Sequence, residues 1–211
     1  MHKYTHFSPL LTAYPLVLLC AALGAVLAVL LSFTQPLLYS STTKVLIAPK
    51  LGTSDAYTVG RSAELIADNL STILSSSSFY DQVFSTTYAI DRSYFPTDVL
   101  KFRKKWAKTV EAHVSRASGI LTVSAFHTKA SQAELLARAV AEVYVTKGWT
   151  YVQGIEIAAQ VIDEPVNSRY PVRPNIVVNA FSGLFLGGMA GGAYVLIEAE
   201  RIRRRHQIVH E

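Results

Sequence analysis

The stretch GLFLGGMAGG, residues 183–192, holds five glycines in ten residues. Glycine clusters in loops hold phosphate groups through backbone N–H groups, so the stretch invites comparison with a nucleotide-binding loop. A phosphate loop of that class continues into Lys-Ser or Lys-Thr, and neither pair follows here. The glycines also lie in a run without charged residues. Both features argue against phosphate chemistry.

Residue types suited to catalysis occur without the spacing that catalysis needs. His113 and His127 fall on predicted strands, and no Cys, Asp or Glu spacing near them indicates a metal site. Asp163 and Glu164 are adjacent at a strand end, where neighbouring side chains point to opposite faces, which is poor geometry for paired acid–base work. The chain has no G-x-S-x-G motif. We therefore expect no enzymatic activity and no cofactor.

Charged residues are segregated along the chain of 211 residues. No Asp, Glu, Lys or Arg occurs between Lys3 and Lys44, or between Arg173 and Glu198. Both intervals exceed the roughly 20 helical residues that cross a hydrocarbon core. We expect transmembrane helices over residues 15–35 and 175–197, with an extracytoplasmic domain over residues 36–174 between them.

A cleaved signal peptide is the alternative for the first apolar run. The run is longer than a usual signal-peptide core, and LLSFTQPLLYS lacks a small-residue cleavage motif, so an uncleaved anchor is favoured. Cys20 follows Leu19, which is too large for the position before a lipoprotein cysteine. Because Cys20 is the single cysteine and lies in the apolar run, we expect no disulfide within the outer domain.

Basic residues flank the two runs and predict the orientation. Lys3 lies before the first run, in the N-terminal segment 1–14, and the tail 198–211 carries Arg201, Arg203, Arg204 and Arg205. Positive charge near span ends favours the cytoplasm, so both termini are expected there and the middle segment is expected outside. The tail arginines are most simply a topology signal and a contact to anionic lipid, with docking of a cytoplasmic partner as the alternative. The net charge of +5 reflects these flanks and is no nucleic-acid signature.

The middle segment mixes strand and helix patterns. Alternating or β-branched residues predict strands over 39–48, 110–114, 121–125 and 158–166, with 110–125 as a hairpin. Helical spacing of apolar residues predicts helices over 60–75 and 79–84, a third opened by Pro96, and a fourth begun by a capping box of Ser131 and Glu134. We expect an α+β domain of β-α-β-β-α-β (ferredoxin-like) order with one extra short helix.

This layout resembles the Wzz-type chain-length determinants, the polysaccharide co-polymerases of bacterial surface-glycan assembly. The resemblance is carried by YSSTTKVLI after the first span, by SGILTVSAFHTKASQAELLARAVAEVY, and by VIDEPVNSRYPVRPN before a glycine-rich second span and basic tail. It implies a homo-oligomeric scaffold that regulates the length or export of a polysaccharide beside a separate polymerase. The chain departs from the family in two ways. Residues 85–110 are too short for a large projecting arm, and no kinase motif follows the second span.

The resemblance leaves two alternatives open. Any tyrosine kinase that works with this chain would be a separate polypeptide, which the basic tail would engage. The chain would alternatively be a two-span extracytoplasmic sensor or adaptor that acts through such a kinase. Because the tail holds no output domain, a sensor of this kind needs a partner.

The glycines of the second run form two adjoining stripes at a spacing of four: Gly183, Gly187 and Gly191, with Gly188 and Gly192 beside them. In lipid, small residues allow helix backbones to approach closely. The stripes therefore predict packing against the first span or against a neighbouring subunit. A glycine-rich span without a fixed partner is the alternative.

Three further features each have a functional and an ordinary interpretation. Pro165, Pro171 and Pro174 either couple the outer domain stiffly to the second span or merely end the strand. Lys101, Lys104, Lys105 and Trp106 either contact an anionic glycan, with the indole stacked on a sugar, or form the favoured solvated helix face. Tyr57, Tyr80, Tyr88 and Tyr94 are either sugar platforms or packing residues.

Overall fold

A computed structural model describes residues 13–50, 55–116, 118–152 and 156–208, except for the side chains of residues 203–208. The elements in chain order are α1 (Tyr14–Ser32), β1 (Tyr39–Pro49), α2 (Ala56–Ile73), α3 (Ser77–Phe84), α4 (Val99–Thr109), β2 (Val110–Val114), β3 (Ile120–His127), α5 (Ala130–Lys147), β4 (Ile157–Asn167) and α6 (Ile176–Ile208). Short 3-10 turns occur at Arg92–Tyr94 and Gly148–Tyr151. The chain divides into a helix-pair unit, Met1–Pro36 with Arg173–Glu211, and an α/β unit, Leu37–Val172.

The helix-pair unit contains α1 and α6. Tyr14–Ser32 and Ile176–Ile202 are both long and apolar enough to cross a membrane. Pro15 occupies the first turn of α1, where its missing N–H has no partner to lose. Asn175 precedes α6, and its side-chain oxygen accepts a hydrogen bond from the backbone N–H of Val178 at 3.2 Å.

The α/β unit contains a four-stranded antiparallel sheet in the order β2-β3-β1-β4. The strand β1 pairs with β3 on one side and with β4 on the other. Alternate residues of β1, Thr43, Val45 and Ile47, are fully buried, whereas Lys44 between the first two is exposed. This alternation is typical of a sheet with helices against one face. The prediction of an α+β class is confirmed.

The predicted hairpin is confirmed, with Val110 opposite Ala125 and Val114 opposite Leu121. Its turn depends on Gly119, whose φ of 63° lies in the left-handed region that favours glycine. A Cβ at Gly119 would also lie 2.7 Å from the Cβ of Ala63. No other residue type would fit this turn without displacing its neighbours.

Side-chain caps set the starts of three helices. Asp55 accepts from the backbone N–H of Thr58 and starts α2 four residues before the predicted position. Ser76 caps α3, and Asp98 caps α4 by accepting from Lys101 N–H at 2.8 Å. The prediction that Pro96 opens the third helix is wrong, because the helix starts at Val99 after the Asp98 cap.

The predicted capping box of Ser131 and Glu134 is also wrong. The helix α5 starts at Ala130, with Lys129 at the cap position and no side-chain cap bond, so Ser131 already lies inside the helix. The Glu134 carboxylate instead accepts hydrogen bonds from Arg138 and Asn167. With Lys129 at the cap position, Glu134 is not the third residue of the helix and is not placed to form a capping box.

The core of the α/β unit is built from large side chains. Trp106, Tyr144, Phe79 and Leu70 are fully buried, and each such side chain contributes about 1.5–3 kcal/mol through removal from water. Both polar aromatic groups have partners. Trp106 Nε1 donates to the carbonyl of Leu74 at 2.8 Å, and Tyr144 Oη donates to the carbonyl of Leu70 at 3.0 Å. These two bonds attach the end of α2 to α4 and α5.

Candidate functional site

The glycines of α6 lie against α1. A Cβ at Gly183 or Gly187 would overlap the backbone carbonyl of Gly24 or Cys20, and a Cβ at Gly191 would lie 2.8 Å from the Cβ of Cys20. The two backbones therefore approach more closely than any side chain would allow. Within the described chain, the partner of this stripe is the first apolar helix.

The second glycine stripe is less restricted. A Cβ at Gly188 would meet the Cβ of Ala21 at 3.7 Å, which is an ordinary contact. Gly192, one turn further along, is partly exposed. The structure thus separates the two stripes that the spacing had grouped together. One stripe packs tightly on α1, and the other lies beside it.

A polar contact also joins the helix pair. Asn179 Nδ2 donates to Ser32 Oγ at 2.8 Å, and Ser32 Oγ donates to the carbonyl of Ala28 at 2.8 Å. Ser32 is only 1% exposed, so these bonds satisfy a hydroxyl that packing has removed from solvent. In the antiparallel pair, this contact joins the end of α1 to the first turn of α6.

The chain that follows β4 runs beside the chain that precedes β1. The backbone N–H of Ser168 donates to the carbonyl of Ser40, and that of Val172 donates to the carbonyl of Leu38, both at 2.8 Å. The three prolines of this approach are Pro165 inside β4, and Pro171 and Pro174 after it. Up to Val172, hydrogen bonds to the neighbouring chain hold the approach in place.

The basic helix α4 has two kinds of side chain. Lys101 and Lys104 are exposed, while the Lys105 ammonium lies 3.8 Å from the centre of the Tyr94 ring. Trp106 is 1% exposed and belongs to the core. The interpretation in which its indole stacks on a sugar is therefore wrong, because no ring face of Trp106 is accessible.

The four tyrosines also differ in exposure. Tyr57 is 81% exposed and Tyr80 only 8%, while Tyr88 and Tyr94 are half-buried. Tyr80 packs on Phe102 with ring centres 4.7 Å apart. Burial raises the pKa of Tyr88, and a hydrogen bond with Glu142 adds to the shift. Only Tyr57 presents most of its ring to solvent.

An ion-pair cluster that sequence reasoning missed joins α5 to β4. Arg138 donates to Glu134 at 3.1 Å and to Glu164 at 2.7 Å, and Asn167 Nδ2 donates to Glu134 at 2.7 Å. The hydrogen bond from Asn167 and then those from Arg138 hold the pKa of Glu134 below its ordinary value. The i,i+4 spacing of Glu134 and Arg138 indicates an ion pair on a helix, but their partners on β4 are far away in sequence.

His127 is the one buried histidine among the described residues. Its Nδ1 accepts a hydrogen bond from the Lys129 backbone N–H at 3.0 Å, and its Nε2 is buried without a partner. Burial lowers the pKa of His127, and the nearby Asp91 opposes that shift. Within the described residues, no three His, Cys, Asp or Glu side chains lie close enough to hold a metal ion.

The tail arginines are only partly described. Arg201 is exposed and lies 3.8 Å from Glu198, one turn earlier on α6. The side chains of Arg203, Arg204 and Arg205 lie outside the description, as do residues 1–12 with Lys3. The chain matches no protein-family model and no curated protein sequence.

Proposed function

We propose that this chain is a two-span membrane scaffold that regulates the length or export of a bacterial surface polysaccharide. In this proposal α1 and α6 cross the inner membrane, both termini are cytoplasmic, and the α/β unit lies outside. The chain performs no chemistry of its own. It acts as a homo-oligomer beside a polymerase or export machine, and a separate tyrosine kinase would engage the basic tail.

One observation carries the scaffold proposal. The chain enters and leaves the α/β unit on two neighbouring strands, β1 and β4, with Ser41 opposite Asn167 at their shared end. These strands continue into the two apolar helices, which pack through Gly183, Gly187 and Gly191. A unit whose chain is joined to an apolar helix at each end is suited to present its surface outside the membrane.

The finer fold assignment belongs to the same proposal. The strand order β2-β3-β1-β4, with all neighbours antiparallel, supports a ferredoxin-like plan in which α2 and α5 are the two main helices. The short helices α3 and α4 are then an insertion between α2 and β2. In the resembled family this is where a projecting arm would emerge.

Deleting the gene and sizing the surface polysaccharide tests the function. We expect a changed length distribution or reduced export, restored by the wild-type chain. The matched variants are Gly187→Leu, which separates α1 from α6, and Gly188→Ala, which the structure accommodates. Gly188→Ala is expected to restore the wild-type pattern and Gly187→Leu is not. An unchanged polysaccharide in the deletion strain would contradict the proposal and favour the sensor or adaptor alternative.

A further inference from the structure

An aromatic cleft of about 450 Å³ opens between α3, the 3-10 turn Arg92–Tyr94 and α4. Four rings line it: Tyr80, Phe84, Phe95 and Phe102. Phe84 and Phe95 meet edge to face with centres 5.3 Å apart, and the buried Trp106 ring supports both at 5.8 and 5.9 Å. The volume and the apolar lining are in the range of small-ligand pockets.

Two charged side chains on the wall of the cleft give it polarity. Arg92 lies 5.1 Å from the centre of the Phe84 ring and donates to the Phe84 carbonyl at 3.1 Å. A guanidinium has five N–H donors, so this bond leaves most of them for a ligand. The other charged wall residue, Asp81, is an exposed acceptor.

The backbone that carries Arg92 is held in place. The N–H of Asp91 donates to Gln132 Oε1 at 2.9 Å, and Gln132 Nε2 donates to the carbonyl of Ala89 at 3.2 Å. The Asp91 carboxylate in turn accepts from the Ser93 N–H at 2.9 Å. Since α5 and the turn itself fix this segment, little ordering is needed when a ligand binds.

One side of the cleft is formed by α4, a positively charged helix. Helix α4 carries five basic residues and no acidic residue. Arg103 lies one turn after Val99, which lines the cleft, and both are exposed. A carboxylate in the cleft has Arg92, the one basic residue among the described residues that line it, as its hydrogen-bond donor.

We propose that this cleft binds an acidic sugar residue, a pyranose that carries a carboxylate. The C–H face of a pyranose is apolar and packs on aromatic rings, its hydroxyl groups donate to Asp81, and its carboxylate accepts from Arg92. An alkyl chain would cover both charged groups and offer no polar partner to Asp81 or to the remaining N–H donors of Arg92, which is unfavourable. The source of the sugar, as part of the regulated polysaccharide, rests on the proposed function, whereas the binding chemistry rests on the cleft alone.

Calorimetry on the full chain in lipid nanodiscs tests the site, with a galacturonic acid tetramer as the probe. We expect the tetramer to bind, and its methyl ester, which lacks the charge, to bind at least about tenfold more weakly. Arg92→Ala is expected to weaken tetramer binding by about the same factor. Val99→Trp is expected to abolish it, because Val99 is 61% exposed and a larger ring there fills the cleft.

Arg116→Ala is the matched control. It removes the same charge from an exposed position in the hairpin turn that does not line the cleft, so binding is expected to remain unchanged. Circular dichroism melts verify that each variant is folded. The site is refuted if the tetramer does not bind, if Arg92→Ala and Arg116→Ala behave alike, or if the neutral ester binds as tightly. Tighter binding of an acidic peptide with aromatic residues would likewise overturn it, in favour of a protein partner.

The two proposals fail separately. Tetramer binding in the cleft together with an unchanged polysaccharide in the deletion strain would refute the scaffold function and leave the sugar site standing. An altered polysaccharide together with no binding would refute the site and leave the scaffold function standing.

Discussion

Different kinds of contact stabilise the helix-pair unit and the α/β unit, each within itself. In the helix pair, Gly183 and Gly187 meet the backbone of α1 because they have no side chains. In the α/β unit, Trp106 and Tyr144 fill the core with the largest side chains available. Burial of large apolar surface stabilises structure in water, whereas in the proposed lipid setting close backbone contact takes over that role. We therefore expect the α/β unit to lose stability when buried side-chain volume is removed, and the helix pair to lose stability when side-chain volume is added.

The largest effect is expected from removing volume in the α/β unit. Trp106→Ala deletes a buried ring and leaves the Leu74 carbonyl without its donor, so we expect a loss of about 3–5 kcal/mol in the free energy of unfolding. Urea unfolding of the full chain in detergent, followed by circular dichroism, measures it.

Trp149→Ala is the control for that prediction. Trp149 is 61% exposed, so its replacement is expected to change the free energy of unfolding by no more than about 0.5 kcal/mol. If Trp106→Ala and Trp149→Ala lowered the free energy of unfolding by similar amounts, burial would not explain the effect of Trp106→Ala.

Adding volume to the helix pair is expected to have the next largest effect. Gly187→Ala places a Cβ against the Cys20 carbonyl and is expected to destabilise the pair by about 1–3 kcal/mol. Unfolding in mixed micelles with increasing dodecyl sulfate measures the change.

Two further glycine variants test whether the helix pair and the α/β unit differ in their tolerance of an added methyl group. Gly188→Ala, with 3.7 Å to Ala21, is expected to be tolerated within the helix pair. Gly148→Ala in the α/β unit is expected to stabilise by about 0.4–1 kcal/mol, because Gly148 has helical φ and ψ and room for a methyl group. If Gly187→Ala stabilised the protein as Gly148→Ala does, the close-contact account of the helix pair would be wrong.

A smaller effect, specific to the α/β unit, concerns pH. Burial lowers the pKa of His127 in the folded protein, so the unfolded chain takes up this proton first as pH falls. The contribution of His127 to stability is therefore fully present above the ordinary pKa of 6.5 and decreases as pH falls below it. Asp91 favours protonation, and Lys105 and Lys129 oppose it.

Unfolding measured at several pH values between 7.5 and 5 checks this expectation. The dependence of the free energy of unfolding on pH is expected to become weaker in His127→Phe. It is expected to remain in His113→Gln, because His113 is exposed on β2. A slope that depends on His113 and not on His127 would contradict the assignment.

The smallest effect is expected from the polar contact of the helix pair. Asn179→Leu removes the bond to Ser32 Oγ, and interhelical hydrogen bonds of this kind contribute about 0.6 kcal/mol on average. The dodecyl sulfate titration is used again, with the exposed Ser182→Ala on the same helix as its control. Equal losses for both variants would show that the contact does not stabilise the pair.

The correct and incorrect predictions differ in how local their causes are. The hairpin of β2 and β3 was predictable because alternation and a glycine turn depend on adjacent residues. The capping box failed because the helix begins at Ala130, before Ser131, and Glu134 instead bonds Asn167, more than thirty residues away. The helical spacing places Trp106 on one face with Val99 and Phe102, but it did not distinguish the buried Trp106 from the exposed Val99. The partner of the indole N–H, Leu74, follows the end of another helix.

The candidate sites follow the same division. The glycine spacing in residues 183–192 indicated a close helix contact, but the spacing alone was compatible with two partners. Nothing local indicated the aromatic cleft, because Phe84, Phe95 and Phe102 come from three separate segments. The place of Arg92 on the wall of the cleft also had no local signal, because the rings beside it come from other segments.

The two charge-free apolar runs, the alternation of the strands and the two glycine stripes are all specified by the order of residues along the chain. These are properties of neighbouring residues and of their transfer between water and an apolar medium. The three-dimensional packing is needed to show that Gly183, Gly187 and Gly191 face α1, that Trp106 is buried, and that Arg92 lies beside an aromatic cleft. Those outcomes depend on which distant segments pack together. The same local pattern fits a buried position and an exposed one, and packing determines which of the two a side chain occupies.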